Sequence, residues 1–171
     1  MLKGKTFLIS GAASGLGEST ARLMASLGAN VVIGDILNEE ATRVAESIIS
    51  DGGSASTFHL DVRSESDWID AVDFAVSHHG GLSGLVSNAG ISGMIPDVMD
   101  TEYFDRLVAI HARGTFLGIK HSAPAIARAG GGSIVAISSI AGRIGADYVH
   151  MGYNAAKAAI LLLVKSAAGY Y

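Results

Sequence analysis

The sequence contains no cysteine. Disulfide frameworks and cysteine-ligated zinc sites are thereby excluded, and the absence suits a reducing compartment. Charge is scarce as well. Asp, Glu, Lys and Arg make up 16% of the chain, against about 25% in ordinary globular proteins. Much of the surface is therefore expected to be buried, in a central sheet or against another subunit. Positive charge is scarcest: 12 Lys and Arg against 16 Asp and Glu leave a net charge of -4. No nucleic-acid partner is expected from such a balance. Long hydrophobic runs are missing too. The longest, Ala158 to Val164, falls far short of the ~20 residues that cross a bilayer. The opening Met-Leu-Lys-Gly-Lys-Thr carries no apolar signal-peptide core. A cytoplasmic protein without a membrane partner is expected.

Apolar residues are plentiful at 49%, and there are 22 glycines. That composition excludes intrinsic disorder, which needs low hydrophobicity and high charge. A length of 171 residues suits one domain with a sizeable core.

Short apolar runs alternate with amphipathic ones. Strands are expected at Thr6 to Ser10, Asn30 to Asp35, Ala55 to Leu60, Leu82 to Ser87 and Ser133 to Ser138. A helix over Gly15 to Gly28 would bury Leu16, Leu23, Met24 and Leu27. Asn38 would cap a second helix ending at Ser50. A third runs from its N-cap Ser64 to His79, stopped by Gly80-Gly81. A loop with Gly90, Gly93 and Pro96 leads to a long helix from Thr101 to about Arg128, bent or ended by Pro124. The last helix covers about Gly152 to Ala168. Strict alternation implies an α/β fold: one doubly wound parallel sheet, covered on both faces, over residues 1–171.

Directly after the first strand stands Gly11-Ala12-Ala13-Ser14-Gly15-Leu16-Gly17. A dinucleotide loop needs glycine where the chain turns sharply and where backbone approaches a pyrophosphate. The following helix aims free N–H groups at the phosphates. Asp35 ends the second strand about twenty residues on, where a carboxylate accepts ribose hydroxyls and repels a 2′-phosphate. No Lys or Arg lies at 12–14 or 36–37. NAD is therefore expected in preference to NADP.

The Gly-x3-Gly-x-Gly spacing, Asn88-Ala89-Gly90 and Tyr153-x3-Lys157, in this order, resemble the short-chain dehydrogenase/reductase family over essentially the whole chain. The resemblance implies a three-layer, Rossmann-like domain. It implies cofactor contacts at Gly11, Ser14, Gly15, Leu16, Gly17 and Asp35, adenine held by Asp61 and Val62, and a central cofactor wall of Asn88, Ala89 and Gly90. Tyr153 would be the acid/base. Lys157 would make its phenolate accessible and hold the nicotinamide ribose, and Ser139 would orient the substrate oxygen. Ser138 competes with Ser139, whose separation from Tyr153 is one residue longer than in many members. The implied activity is NAD-dependent interconversion of a secondary alcohol and a ketone, by a homodimer or homotetramer. No catalytic metal is expected, because no His, Asp and Glu cluster has ligand spacing.

Two departures stand out. His111 occupies a position where the family commonly has Asn, so proton relay is either altered or unaffected. The chain also lacks the family's last strands, which would leave Ile134 to Ile137 at a sheet edge. A catalytically impaired NAD-binding or scaffold protein is thus the alternative, and an epimerising or carbon–carbon enzyme a third reading. Ile91, Met94, Ile95, Ile144 and Val149 suggest an apolar or alicyclic alcohol, or are packing residues. His150, just before Tyr153, could touch substrate.

Overall fold

Adjacent residues along the strands go to opposite faces of the sheet, and the two faces build two cores. Leu8, Val32 and Leu85 contribute to one, with Trp68, Leu117 and Ile126 from the helices above them. Ile9, Val31, Ile33 and Val86 contribute to the other, with Ala21, Ala25, Val44 and Ile48. Strands that are apolar on both faces cannot lie at a surface, so helices must cover each side. The computed structural model describes residues 2–94 and 97–171. Ile95 and Pro96, both singled out from the sequence, lie outside the described residues.

Among the described residues five strands, β1 (Thr6–Ser10), β2 (Asn30–Asp35), β3 (Ser54–His59), β4 (Gly84–Ser87) and β5 (Ser133–Ala136), form one sheet in the order β3-β2-β1-β4-β5. Every pairing is parallel. The helices are α1 (Gly15–Ser26), α2 (Asn38–Ser50), α3 (Glu65–His79), α4 (Thr101–Leu107), α5 (Gly114–Arg128), α6 (Ala141–Ile144) and α7 (Met151–Tyr170). Chain order reverses between β1 and β4, so the loops at their carboxyl ends flank a crevice. Trp68, from α3, is fully buried and donates its indole N–H to Val62 O at 3.0 Å. Burying such a side chain contributes about 2–3 kcal/mol. β5 stands at the open edge, with Val135 half exposed.

Several local expectations are corrected. The leucines of α1 do not face the core: Leu16, Leu23 and Leu27 are exposed, while Gly17, Ala21 and Ala25 are buried. At Gly17 this helix lies too close to its preceding loop to admit a larger side chain. Leu37, not Asn38, is the N-cap of α2. Asn38 instead offers its side-chain oxygen to His59 Nδ1 at 3.0 Å. Pro124 sits inside α5 without ending it. The long helix is interrupted earlier, by a π-helical segment at Val108–Arg113, and the short α6 has no counterpart in the sequence reading.

Candidate active site

The crevice is built by two loops pinned together. Gly11 leaves β1 at φ +66, and a side chain there would meet Ala89 Cα at 2.7 Å. The Asn88 amide donates to Ser10 O at 3.1 Å and to Gly11 O at 3.0 Å. The backbone N–H groups of Asn88 and Ala89 both donate to the buried Ser10 hydroxyl. Gly17 lies behind the loop, where a Cβ would stand 2.6 Å from Asn88 Nδ2. Glycine there permits close packing of α1 against the loop.

A cleft of about 470 Å³ opens at this junction. Gly11, Ser14, Gly15, Leu16, Asp35, Asp61, Val62, Asn88, Ala89 and Gly90 all line it. Gly17, Tyr153 and Lys157 are not part of its lining. Ser14 caps α1 with no side-chain hydrogen bond, so first-turn N–H groups of that helix are left to meet an anion. Asp35 is buried and already engaged. Its Oδ2 accepts Ala13 N–H at 2.9 Å and its Oδ1 accepts Leu37 N–H at 3.0 Å. Each oxygen keeps a second lone pair for a hydroxyl. Asp61 is clamped by the Arg63 guanidinium, with Nη2 to Oδ2 at 2.6 Å, which holds its carboxyl below the usual range. The anion-accepting loop and a hydroxyl-accepting carboxylate at one cleft fit a dinucleotide.

Tyr153 and Lys157 lie one turn apart on α7, with Lys157 Nζ 5.6 Å from the Tyr153 ring centre. Nζ donates to Ile137 O at 2.8 Å. Burial pushes the Lys157 ammonium down to about 8. The competing serines are separated by their partners. Ser138 donates to Lys157 O at 2.7 Å, whereas Ser139 accepts Ala141 N–H at 3.2 Å and keeps its own proton to donate. His111 stands edge-on to Tyr153, with ring centres 5.3 Å apart. Its Nε2 lies 3.0 Å from Ile91 O. Burial first, then the Lys157 charge, hold its imidazole down to about 4, so it is neutral at ordinary pH. The ring fills the space of a Gly90 side chain, since a Cβ would meet Cε1 at 2.5 Å. The π-helical segment is what brings His111 into this position.

Of the residues expected at a substrate pocket, Met94 and Ile144 are exposed and Ile91 lines the cleft at the glycine loop. Val149 is buried against Ala141, Ala146 and Tyr153, as packing. Sequence reasoning missed Ser10, Leu37, Arg106 and Ile110. The last three line the cleft, and none carries a pattern that marks it. Ser10 had one signal, a lone hydroxyl ending a buried apolar strand.

Comparison with known proteins gives a consistent result. The short chain dehydrogenase family profile matches residues 5–171. A 3-alpha-(or 20-beta)-hydroxysteroid dehydrogenase of Mycobacterium bovis is 45% identical over 169 residues, covering 98% of this chain and 63% of that protein. Short-chain dehydrogenase reductase 3c of Arabidopsis thaliana is 42% identical, with 98% and 65% covered. The crystal structure of NAD+-bound xylitol dehydrogenase superposes with a TM-score of 0.93 at 30% identity, covering 99% of this chain and 65% of that one. The chain thus spans just under two thirds of the length of these relatives.

Proposed function

The chain belongs to the short-chain dehydrogenase family, and on that premise we propose that it interconverts a secondary alcohol and a ketone with NAD. The observation that carries this reading is the Tyr153 phenol beside the buried Lys157 ammonium. Both follow the sheet's carboxyl ends, next to the glycine-loop cleft. Bound NAD would supply the hydride acceptor, or NADH the donor. Gly11, Ser14, Gly15 and Leu16 would hold its phosphates, Asp35 the adenosine ribose, Asp61 and Val62 the adenine, and Asn88 to Gly90 the centre. In the oxidative direction the Tyr153 oxygen takes the hydroxyl proton as the carbon loses hydride. Lys157 offsets the phenolate charge, and Ser139 donates to the substrate oxygen. A positioned acid/base of this kind contributes about 10²–10⁴ in rate.

NAD is favoured over NADP because the Asp35 carboxylate faces the cleft, and because Arg63 is already neutralised by Asp61. An alicyclic secondary alcohol is favoured by the exposed apolar Met94 and Ile144 and by the hydroxysteroid named for the mycobacterial relative. Assembly as a dimer or tetramer through α5 and α7 is supported by exposed Phe116, Leu162 and Tyr170, and sedimentation velocity tests it.

The deciding experiment is an NADH fluorescence titration, followed by a panel of alicyclic secondary alcohols read by NADH absorbance. Tyr153→Phe serves as the control. The reading predicts NADH binding by both proteins and turnover by the parent alone. Equal turnover by Tyr153→Phe would overturn the acid/base assignment. Binding without any turnover would overturn the dehydrogenase reading for this chain.

A further inference from the structure

His150 is buried, at 1% exposed, and both its ring nitrogens are occupied. It therefore presents nothing to a substrate, contrary to the sequence expectation. Nδ1 accepts Gly152 N–H at 2.9 Å, which makes His150 the N-cap of α7. Nε2 lies 2.9 Å from Asp100 O, which can only accept, so Nε2 carries the proton. The partners thus dictate one neutral tautomer. Asp100 is itself the N-cap of α4, its side chain accepting Tyr103 N–H at 2.6 Å. One imidazole consequently ties together the starts of two helices.

The same knot holds the loop after β4. His150 N–H donates to Gly93 O at 2.7 Å. The Tyr103 hydroxyl donates to Ser92 O at 2.7 Å, and its ring meets the imidazole edge-on at 5.7 Å. Gly93 lies flat against the tyrosine, so close that a Cβ would stand 2.5 Å from Tyr153 Cβ. On the other side, a Cβ on Gly152 would meet Phe104 Cα at 3.0 Å. The start of α7 is wedged between loop and α4 on both sides of Tyr153, and His150 bridges the two.

We propose that His150 is a positioning residue: Nδ1 fixes the first turn of α7, and hence Tyr153, while Nε2 fixes the start of α4 at Asp100 O, through which Tyr103 holds Ser92 and Gly93 against Tyr153. The catalytic part rests on the dehydrogenase reading above. Its two halves separate by substitution. His150→Asn places an oxygen near Nδ1 and keeps the cap but cannot reach Asp100 O. His150→Gln places an amide N–H near Nε2 and keeps the link but gives up the cap. A helix cap and a single hydrogen bond each correspond to about tenfold in an equilibrium.

The test compares His150→Asn, His150→Gln and His150→Ala by steady-state kinetics and by amide hydrogen exchange. The expected split is a KM about tenfold higher with kcat held for Asn. For Gln, kcat falls about tenfold with KM held, and Ala shows both losses. Exchange quickens at residues 92–94 and 100–103 in Asn, and at 152–154 in Gln. Equal losses in all three variants, in both kcat and KM and at both sets of amides, would show a general folding role and overturn the proposal. So would unchanged exchange in all three. If the parent binds NADH but turns over no alcohol, the dehydrogenase reading falls, and the exchange pattern still decides whether His150 joins the two elements.

Discussion

Replacing Asp35 by alanine removes one carboxylate with two separable tasks. In the free protein it accepts two backbone N–H groups. Ala13 is 4% exposed, so its N–H has no water to replace the lost partner. An unpaired buried donor costs about 1–3 kcal/mol. Leu37 is 46% exposed, and water substitutes there at little cost. A loss of about 2 kcal/mol lowers Tm by about 4–8 °C in a protein of this size. In the complex the carboxylate would accept ribose hydroxyls. A hydrogen bond to a charged group contributes about 1.5–3 kcal/mol, which weakens NADH binding roughly 10- to 150-fold on its loss. Asp35→Asn separates the two tasks. Its carbonyl keeps the Ala13 bond while its NH2 turns to the exposed Leu37 side, so Tm stays near the parent value. NADH affinity still falls, and the gap between NADH and NADPH narrows. Thermal melts and fluorescence titrations on the three proteins provide the assay. Parent-like NADH affinity in Asp35→Ala would refute the ribose assignment, and a parent-like Tm in that variant would refute the brace.

Lys157 predicts a pH dependence. Its folded-state ammonium titrates at about 8 against an ordinary 10.5. Between those values the unfolded chain holds a proton the folded protein has released, so stability rises with pH across that window, on the order of 3 kcal/mol. Melts from neutral to alkaline pH should show the parent gaining on Lys157→Met, and a constant difference would contradict this. Gly17→Ala should abolish NADH binding and lower Tm sharply, because a Cβ there meets the Asn88 amide at 2.6 Å. Gly169→Ala has nothing within 4 Å of its Cβ and should stabilise α7 by up to about 1 kcal/mol. Gly90→Ala should destabilise strongly through the His111 ring, and adding His111→Asn should restore part of the loss. A purely additive double variant would contradict that contact.

The middle of the sheet was legible because β1 and β2 are apolar on both faces, and Leu8-Ile9 and Val31-Val32-Ile33 can be read as buried without knowing their partners. The glycine loop was legible because backbone approach is a local demand. The face of α1 was not. Leucine there suggests a core, yet Gly17 sits so close to the preceding loop that the side chains buried on this face are Ala21 and Ala25, with Met24 packing beside them. The π-helical segment is a register shift of the main chain without a composition of its own; only the resemblance drew His111 to the proton relay, and its edge-on contact with Tyr153 has no local pattern that marks it. Residues at the cleft that act singly, such as Arg106, are marked only by where the fold delivers them.

The sheet order also sets a schedule for folding. β2 pairs with β1 and β3 through contacts such as Leu8 with Val32 and Val32 with Ser56, which lie close along the chain. β1 occupies the middle of the sheet, but its other neighbour is β4, reached through pairs such as Phe7 with Gly84. Closing that distant loop costs chain entropy before any ladder bond repays it. The β1–β2–β3 unit therefore assembles first, with the outer side of β1 still open. Docking of β4 is the slow event that seals it. Because Asn88 and Ala89 grip Ser10 only after that docking, competence to bind a dinucleotide should appear late on the folding pathway, together with the last long-range contact.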